Sequence, residues 1–131
     1  MQIGDLARRT GVHVETIRYY ERVGMLPKPL RQPNGRRIYG KDDAMRLRFI
    51  RHARDLGFDL ASVRTLLGLQ EQPEASCAEA TRLAREQLDK VEDRIARLTA
   101  LRGELSRMIA SCDQGVVASC KVIDALSSPD L

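Results

Sequence analysis

This chain has no run of apolar residues long enough to cross a bilayer. Its start, MQIGDLARRT, places charges where a secretory signal would need a continuous apolar stretch, so a cytoplasmic location and no membrane partner are expected. It also lacks a Gly-rich phosphate loop, a paired catalytic carboxylate motif, and any histidine close in sequence to a cysteine. These absences argue against an enzyme. Cysteines number three, an odd count that no self-contained disulfide framework uses and too few for a four-cysteine iron–sulfur cluster. In a reducing compartment such thiols signify metal ligation, redox sensing or simple burial.

What the sequence does contain is unevenly distributed. Of 131 residues, 43% are hydrophobic and 31% charged, as in a globular or coiled-coil protein. The formal net charge of +4 conceals a division. Residues 1–56 hold 13 Lys and Arg against 6 Asp and Glu, a net of +7, while the remainder holds 9 against 12, a net of −3. A basic module joined to a mildly acidic one points to a polyanion engaged by the first module alone.

In IGDLARRTGVHVETIRYYERVGML, Ile3, Leu6 and Ala7 fall at helical spacing, Gly11 interrupts, and Val14, Ile17 and part of Tyr20 resume it. Helix, short glycine-containing turn and helix form the helix-turn-helix pattern, with Arg18, Tyr19 and Arg22 on the outer face of the second helix. The pattern alone fits a plain helical hairpin equally well. Next, Pro27, Pro29 and Pro33 exclude a continuous helix, and Asn34-Gly35 marks a tight turn. A small hairpin, or wing, is predicted, carrying Arg36, Arg37 and Tyr39. Guanidinium groups there suit phosphate contact. Two more helices are predicted. One runs from about Asp42 to Leu56 with Ala44, Leu47, Ile50 and Leu56 inward; the other lies near Asp59 to Leu69, with Asp59 capping its start.

Pro73 breaks the chain, and Ser76-Cys77-Ala78-Glu79 matches a capping box. A helix is predicted from Cys77 to about Cys112, roughly 52 Å at 1.5 Å per residue. Ala84, Leu88, Val91, Ile95, Leu98, Leu105 and Ile109 recur at alternating spacings of four and three, interrupted only by Arg102. That seam predicts a coiled-coil homodimer. Extended outward, it reaches Cys77 at one end and Cys112 at the other. On a single helix these two lie too far apart to share an ion; an antiparallel dimer would bring Cys77 of one chain beside Cys112 of the other. Asp113-Gln114-Gly115 can then turn the chain so that Cys120 returns, giving a candidate ligand set of Cys77, Cys112 and Cys120. At the head of the helix, the positive end of the dipole favours negative charge on Cys77.

With its ETIRYYE stretch, NGRRIY followed by RLRFIRHARDLGFDL, and the cysteine-bounded terminal loop, the chain resembles the metal-sensing branch of the MerR family of transcriptional regulators over nearly its whole length. The resemblance implies a mainly α fold: a winged helix-turn-helix domain (1–71), a long antiparallel coiled-coil dimerisation helix (76–112), and a metal-binding loop with a short terminal helix (112–131). It implies DNA contacts by Arg18, Tyr19 and Tyr20 from the second helix and by Arg36, Arg37 and Tyr39 from the wing. It further implies double-stranded promoter DNA and RNA polymerase as partners, with activation by distortion of an over-long promoter spacer.

Thiolate ligands favour soft ions. Monovalent copper-type sensors of the family typically carry Ser where this chain has Cys77, so the resemblance implies a divalent effector. Zinc normally takes four ligands, and both histidines, His13 and His52, fall in the first module. Mercury, lead or cadmium is therefore expected ahead of zinc or copper(I). Three alternatives stay open at the level of sequence. One is a copper, silver or gold sensor using Cys112 and Cys120. Another is a coiled-coil adaptor that binds no DNA. The third is a thiol switch closing a Cys112–Cys120 disulfide.

Overall fold

The computed structural model describes residues 1–35, 37–111, 115–117 and 120–127, with Leu30 and Arg37 described by their backbone alone. Six helices and one two-stranded hairpin are seen among the described residues. Their order is α1 (Ile3–Thr10), α2 (Val14–Arg22), β1 (Leu30–Arg31), β2 (Arg37–Ile38), α3 (Lys41–Asp55), α4 (Leu60–Gln70), α5 (Ala78–Ser111) and α6 (Lys121–Leu126). The fold is mainly α. Two compact units divide it at Leu83–Ala84, within α5.

In the first unit, α1 packs against α2 and α3, and α3 against α4. The turn between α1 and α2 is made by two residues with distinct tasks. Gly11 takes the left-handed conformation (φ 71°), and its N–H donates to the Ala7 carbonyl at 2.8 Å, ending α1. Thr10 Oγ1 donates to the Leu6 carbonyl at 2.7 Å and accepts from the Val12 N–H at 3.3 Å. Leu6, Ile17, Leu47, Ile50 and Val63 are fully buried and form the centre of the core. Because these are aliphatic side chains from four helices, burying them fixes where α2 sits, at about 1.5–3 kcal/mol per side chain.

The hairpin pairs Leu30 with Ile38 and Arg31 with Arg37 in antiparallel register. Its turn closes through the Gly35 N–H donating to the Gln32 carbonyl at 2.8 Å, with Gly35 at φ 82°. The Asp59 side chain accepts from the Ser62 N–H at 2.8 Å and caps α4, as its position in sequence predicts.

Two local expectations are corrected. Leu56 is 65% exposed, not buried. Ala44, Leu47, Ile50 and Ala53 advance by three residues each, and every such step falls about 60° short of a full turn, so by Leu56 the row has rotated off the core. The capping box at α5 is also not formed as predicted. The Ser76 Oγ accepts from the Ala78 N–H at 3.1 Å, but the Glu79 carboxylate pairs with Arg82 one turn on, and the Cys77 carbonyl accepts the first helical bond, from the Thr81 N–H at 3.0 Å. Cys77 itself is therefore the residue that caps the helix.

The second unit comprises the rest of α5 and α6. Its leucine, isoleucine and valine side chains from Leu88 to Ile109 are exposed on the isolated chain, from 40% at Val91 to 69% at Ile109. Leu101, beside the interrupting Arg102, is 50% exposed and belongs to the same apolar surface. Among the described residues no helix is long and apolar enough to cross a membrane.

Candidate functional site

The outer face of α2 carries Arg18, Tyr19 and Arg22. Arg18 Nη1 lies 3.2 Å from the Glu15 carboxylate one turn earlier, which restrains an otherwise exposed guanidinium. The Arg22 guanidinium lies 5.8 Å from the centre of the Tyr19 ring, a cation–π distance. Between α2 and the hairpin lies an open cleft of about 410 Å³ lined by Arg18, Glu21, Arg22, Lys28, Pro29 and Arg31. Arg31 also donates to the Gly35 carbonyl at 3.2 Å, tying its side chain to the hairpin turn. Glu21 is 9% exposed and accepts a hydrogen bond from the Tyr39 hydroxyl, so the solvent-facing charge of the cleft is positive.

Tyr39 is only 1% exposed and Tyr20 8%. Both are among the DNA contacts that the resemblance implies, and in the isolated chain both rings are core residues. The Tyr39 ring is buried in the core with its hydroxyl donating to Glu21 of α2, and the Tyr20 ring packs inward beside Tyr19 at 5.9 Å between centroids. Burial raises the Tyr20 phenol above its usual value, opposed by Arg54 and reinforced by Tyr19. These rings pack behind the outer face of α2. Arg36 lies outside the described residues, and for Arg37 only the backbone, in β2, is described.

A second set of arginines carries no sequence signal and emerges only from the geometry. Arg51 Nη1 donates to the Thr10 carbonyl at 2.8 Å and Arg48 Nη2 to the Arg9 carbonyl at 3.4 Å, both at the C-terminal end of α1. Arg64 donates to the Val23 carbonyl at the end of α2, and Arg46 Nε to the Met25 carbonyl at 2.6 Å just beyond it. The terminal carbonyls of a helix lack internal partners and bear partial negative charge. Four side chains of α3 and α4 thus fasten the two helices of the reading pair from behind.

Of the three candidate metal ligands, Cys77 and Cys120 are described; Cys112 lies outside the described residues. Cys77 is exposed, with its Sγ 3.7 Å from Thr81 Oγ1. It borders an apolar hollow of about 390 Å³ lined in part by Phe49, Leu66, Leu69, Pro73 and Ala80. Cys120 is half-buried and caps α6, its carbonyl accepting from the Asp124 N–H at 3.0 Å. No group of three His, Cys, Asp or Glu side chains comes together among the described residues. Both described thiols stand at helix starts, Cys77 exposed and Cys120 half-buried, and thiolate sulfur suits a soft ion.

Two family profiles match this chain. One, described as MerR HTH family regulatory protein, covers residues 1–69; the other, described as MerR, DNA binding, covers residues 44–108. The HTH-type transcriptional regulator ZntR of Escherichia coli K12 is 41% identical over 95% of this chain and 91% of its own length. The mercuric resistance operon regulatory protein of Serratia marcescens is 38% identical over 96% of this chain and 87% of its own. Among solved structures, the transcription regulator PbrR691 from Ralstonia metallidurans CH34, crystallised with lead(II), superposes with a TM-score of 0.81 at 34% identity, covering 97% of this chain and 99% of that one.

Proposed function

The chain belongs to the MerR family of helix-turn-helix regulators, and from that premise we propose that it is a metal-responsive transcriptional regulator whose effector is a divalent soft ion. It binds promoter DNA as a homodimer through α2 and the hairpin, and responds to mercury, lead or cadmium held by Cys77, Cys112 and Cys120. The mercuric-resistance relative and the lead(II)-bound neighbour support a soft divalent effector.

The placement of Cys77 carries this reading. It is an exposed thiol capping a 34-residue helix whose apolar stripe has no partner in the isolated chain. Exposed apolar surface on that scale calls for a second copy. In an antiparallel pair, Cys77 and Cys112 of opposite chains meet because they are five heptads apart in sequence. Cys120, at the start of α6, supplies the third sulfur. Three thiolates satisfy a soft divalent ion without the fourth ligand that zinc prefers.

At the other end of the molecule, Arg18, Arg22, Lys28 and Arg31 form the phosphate-facing cleft beside α2. The arginine caps from α3 and α4 make the reading pair one body with the helices that lead to Cys77. Rearrangement at the metal site therefore reaches the DNA as a change in the spacing or tilt of two reading units, and RNA polymerase meets a promoter of altered shape.

A competition titration of the reduced protein with mercury(II), lead(II), cadmium(II), zinc(II) and copper(I), read by thiolate-to-metal absorption, tests the assignment. Tight divalent binding that disappears in Cys77→Ser is the expected result. Tight copper(I) binding indifferent to Cys77 would replace the divalent assignment with a monovalent one using Cys112 and Cys120.

A further inference from the structure

Of the four arginines that cap the reading pair, Arg51 also lies 3.9 Å from a carboxylate, that of Asp55 in its own helix, whereas Arg46 reaches one on a different element. Its Nε donates to the Met25 carbonyl at 2.6 Å, where the chain leaves α2 for the hairpin. Its Nη1 donates to the Glu71 carboxylate at 2.9 Å. Glu71 is the residue that ends α4 and opens the segment 71–77, whose last residue is Cys77. One guanidinium thus spans the exit of the DNA-reading helix and the entrance to the segment bearing a candidate metal ligand.

Two features make this span mechanically stiff. The guanidinium is planar, so Nε and Nη1 cannot move independently, and displacement of the Glu71 carboxylate reorients the donor to Met25. The segment itself is turned tightly: the Gln72 N–H donates to the Leu69 carbonyl and the Ala75 N–H to the Gln72 carbonyl, each at 2.9 Å. There is little slack between Glu71 and Cys77 to absorb a movement of the thiol. The Arg46 side chain is 25% exposed and that of Glu71 65%, so the ion pair contributes little to holding the fold. A weak, well-directed bond at this point is better suited to transmitting a displacement than to resisting unfolding.

We propose that Arg46 is a positioning residue that couples the Cys77 segment to α2 and the hairpin, with Glu71 as its receiving end. The proposal rests on the reading that metal held at Cys77 changes the shape of bound DNA. Losing one partly exposed ion pair removes part of that response, about two- to fivefold, while coupling between sites in regulators typically spans about 5- to 150-fold.

The test uses the full-length dimer, lead(II) as probe, and a selected operator duplex carrying a fluorescent base analogue at its centre. Three quantities are read: lead(II) affinity, operator affinity without metal, and the lead(II)-induced change in the DNA signal. In Glu71→Ala the first two stay within about twofold of wild type, while the third falls by about two- to fivefold. Glu71→Gln, which keeps an oxygen acceptor, falls between. Arg46→Lys, whose single ammonium cannot serve both acceptors in one plane, reproduces the loss, and combining it with Glu71→Ala adds nothing further. An unchanged lead(II) response in Glu71→Ala overturns the proposal. So does a loss of metal-free operator affinity as large as the loss of response, which would make the pair merely structural. A wild-type protein whose operator signal ignores mercury(II), lead(II) and cadmium(II) alike would overturn the functional reading itself, and the coupling with it.

Discussion

Gly11 is where backbone chemistry and side-chain packing meet most sharply. Its φ of 71° is one that L side chains adopt at a cost of about 1–2 kcal/mol, and an added Cβ would stand 1.9 Å from Arg51 Nη1. Gly11→Ala should therefore both strain the turn and displace Arg51 from the Thr10 carbonyl, lowering the unfolding free energy by about 2–3 kcal/mol in urea titrations. Arg51→Ala alone should cost about 1 kcal/mol, since the guanidinium is half-exposed. The double variant should cost less than the sum, because the clash vanishes with the guanidinium. Strict additivity would mean that Arg51 does not occupy the space above Gly11. A second residue-scale expectation concerns alkaline pH. Burial holds the folded-state Tyr20 phenol above the usual 10.0, so the unfolded chain loses this proton first. The stability that the neutral ring contributes is complete below about pH 10 and declines as pH rises towards the folded value. Urea titrations from pH 8 upward should show a steeper alkaline loss in wild type than in Tyr20→Phe. Equal slopes would remove Tyr20 from the account.

At the scale of elements, the seam on α5 decides the assembly. Ile95 lies mid-helix and is 57% exposed on the isolated chain. Ile95→Asp would place two like charges near each other in a paired seam, and sedimentation should then show a monomer that no longer shifts operator DNA. A persistent dimer would mean that another surface pairs the chains. Arg102→Leu should act in the opposite sense, tightening the dimer at least tenfold by filling the one interruption of the stripe with about 1.5–3 kcal/mol of apolar burial per chain. The stripe was legible in the sequence because helical periodicity is a local property. So were the Gly11 and Asn34-Gly35 turns, which follow from backbone sterics, and the Asp59 cap. Other features were not legible, for a common reason. The acceptors for Arg46, Arg48, Arg51 and Arg64 are backbone carbonyls, which look the same in every residue, so these arginines were indistinguishable from a DNA-facing charge run. The burial of Tyr39 was equally hidden, because its hydroxyl reaches Glu21, 18 positions away in sequence. At the head of α5, Ser76 and Glu79 had the right spacing for a capping box, but Arg82 lay within reach of Glu79 and captured it.

For the molecule as a whole, the division of positive charge between holding the fold and meeting DNA sets how binding should respond to salt. Of 13 cationic residues in positions 1–56, Arg46, Arg48, Arg51 and Arg54 point to backbone carbonyls away from the cleft, whereas Arg18, Arg22, Lys28 and Arg31 line the open cleft beside α2, Arg31 while also donating to the Gly35 carbonyl. Each phosphate neutralised releases condensed counterions, so log affinity falls with log salt at about −0.9 per neutralised phosphate. Four cleft cations per chain, and so roughly eight per dimer, give a slope of about −7. If all 13 faced the DNA, the slope would be about three times as steep. Arg31→Ala should therefore weaken operator binding across sequences and flatten the slope by up to about 2 per dimer, since each half-site then has one phosphate fewer neutralised. Arg48→Ala, which removes only a long hydrogen bond to the Arg9 carbonyl, should slightly lower thermal stability and leave the slope unchanged. Fluorescence titrations of one operator between 50 and 300 mM salt can measure both. Equal flattening by the two variants would place the α3 arginines on the DNA after all, and the backbone-capping role would then belong only to the unbound protein.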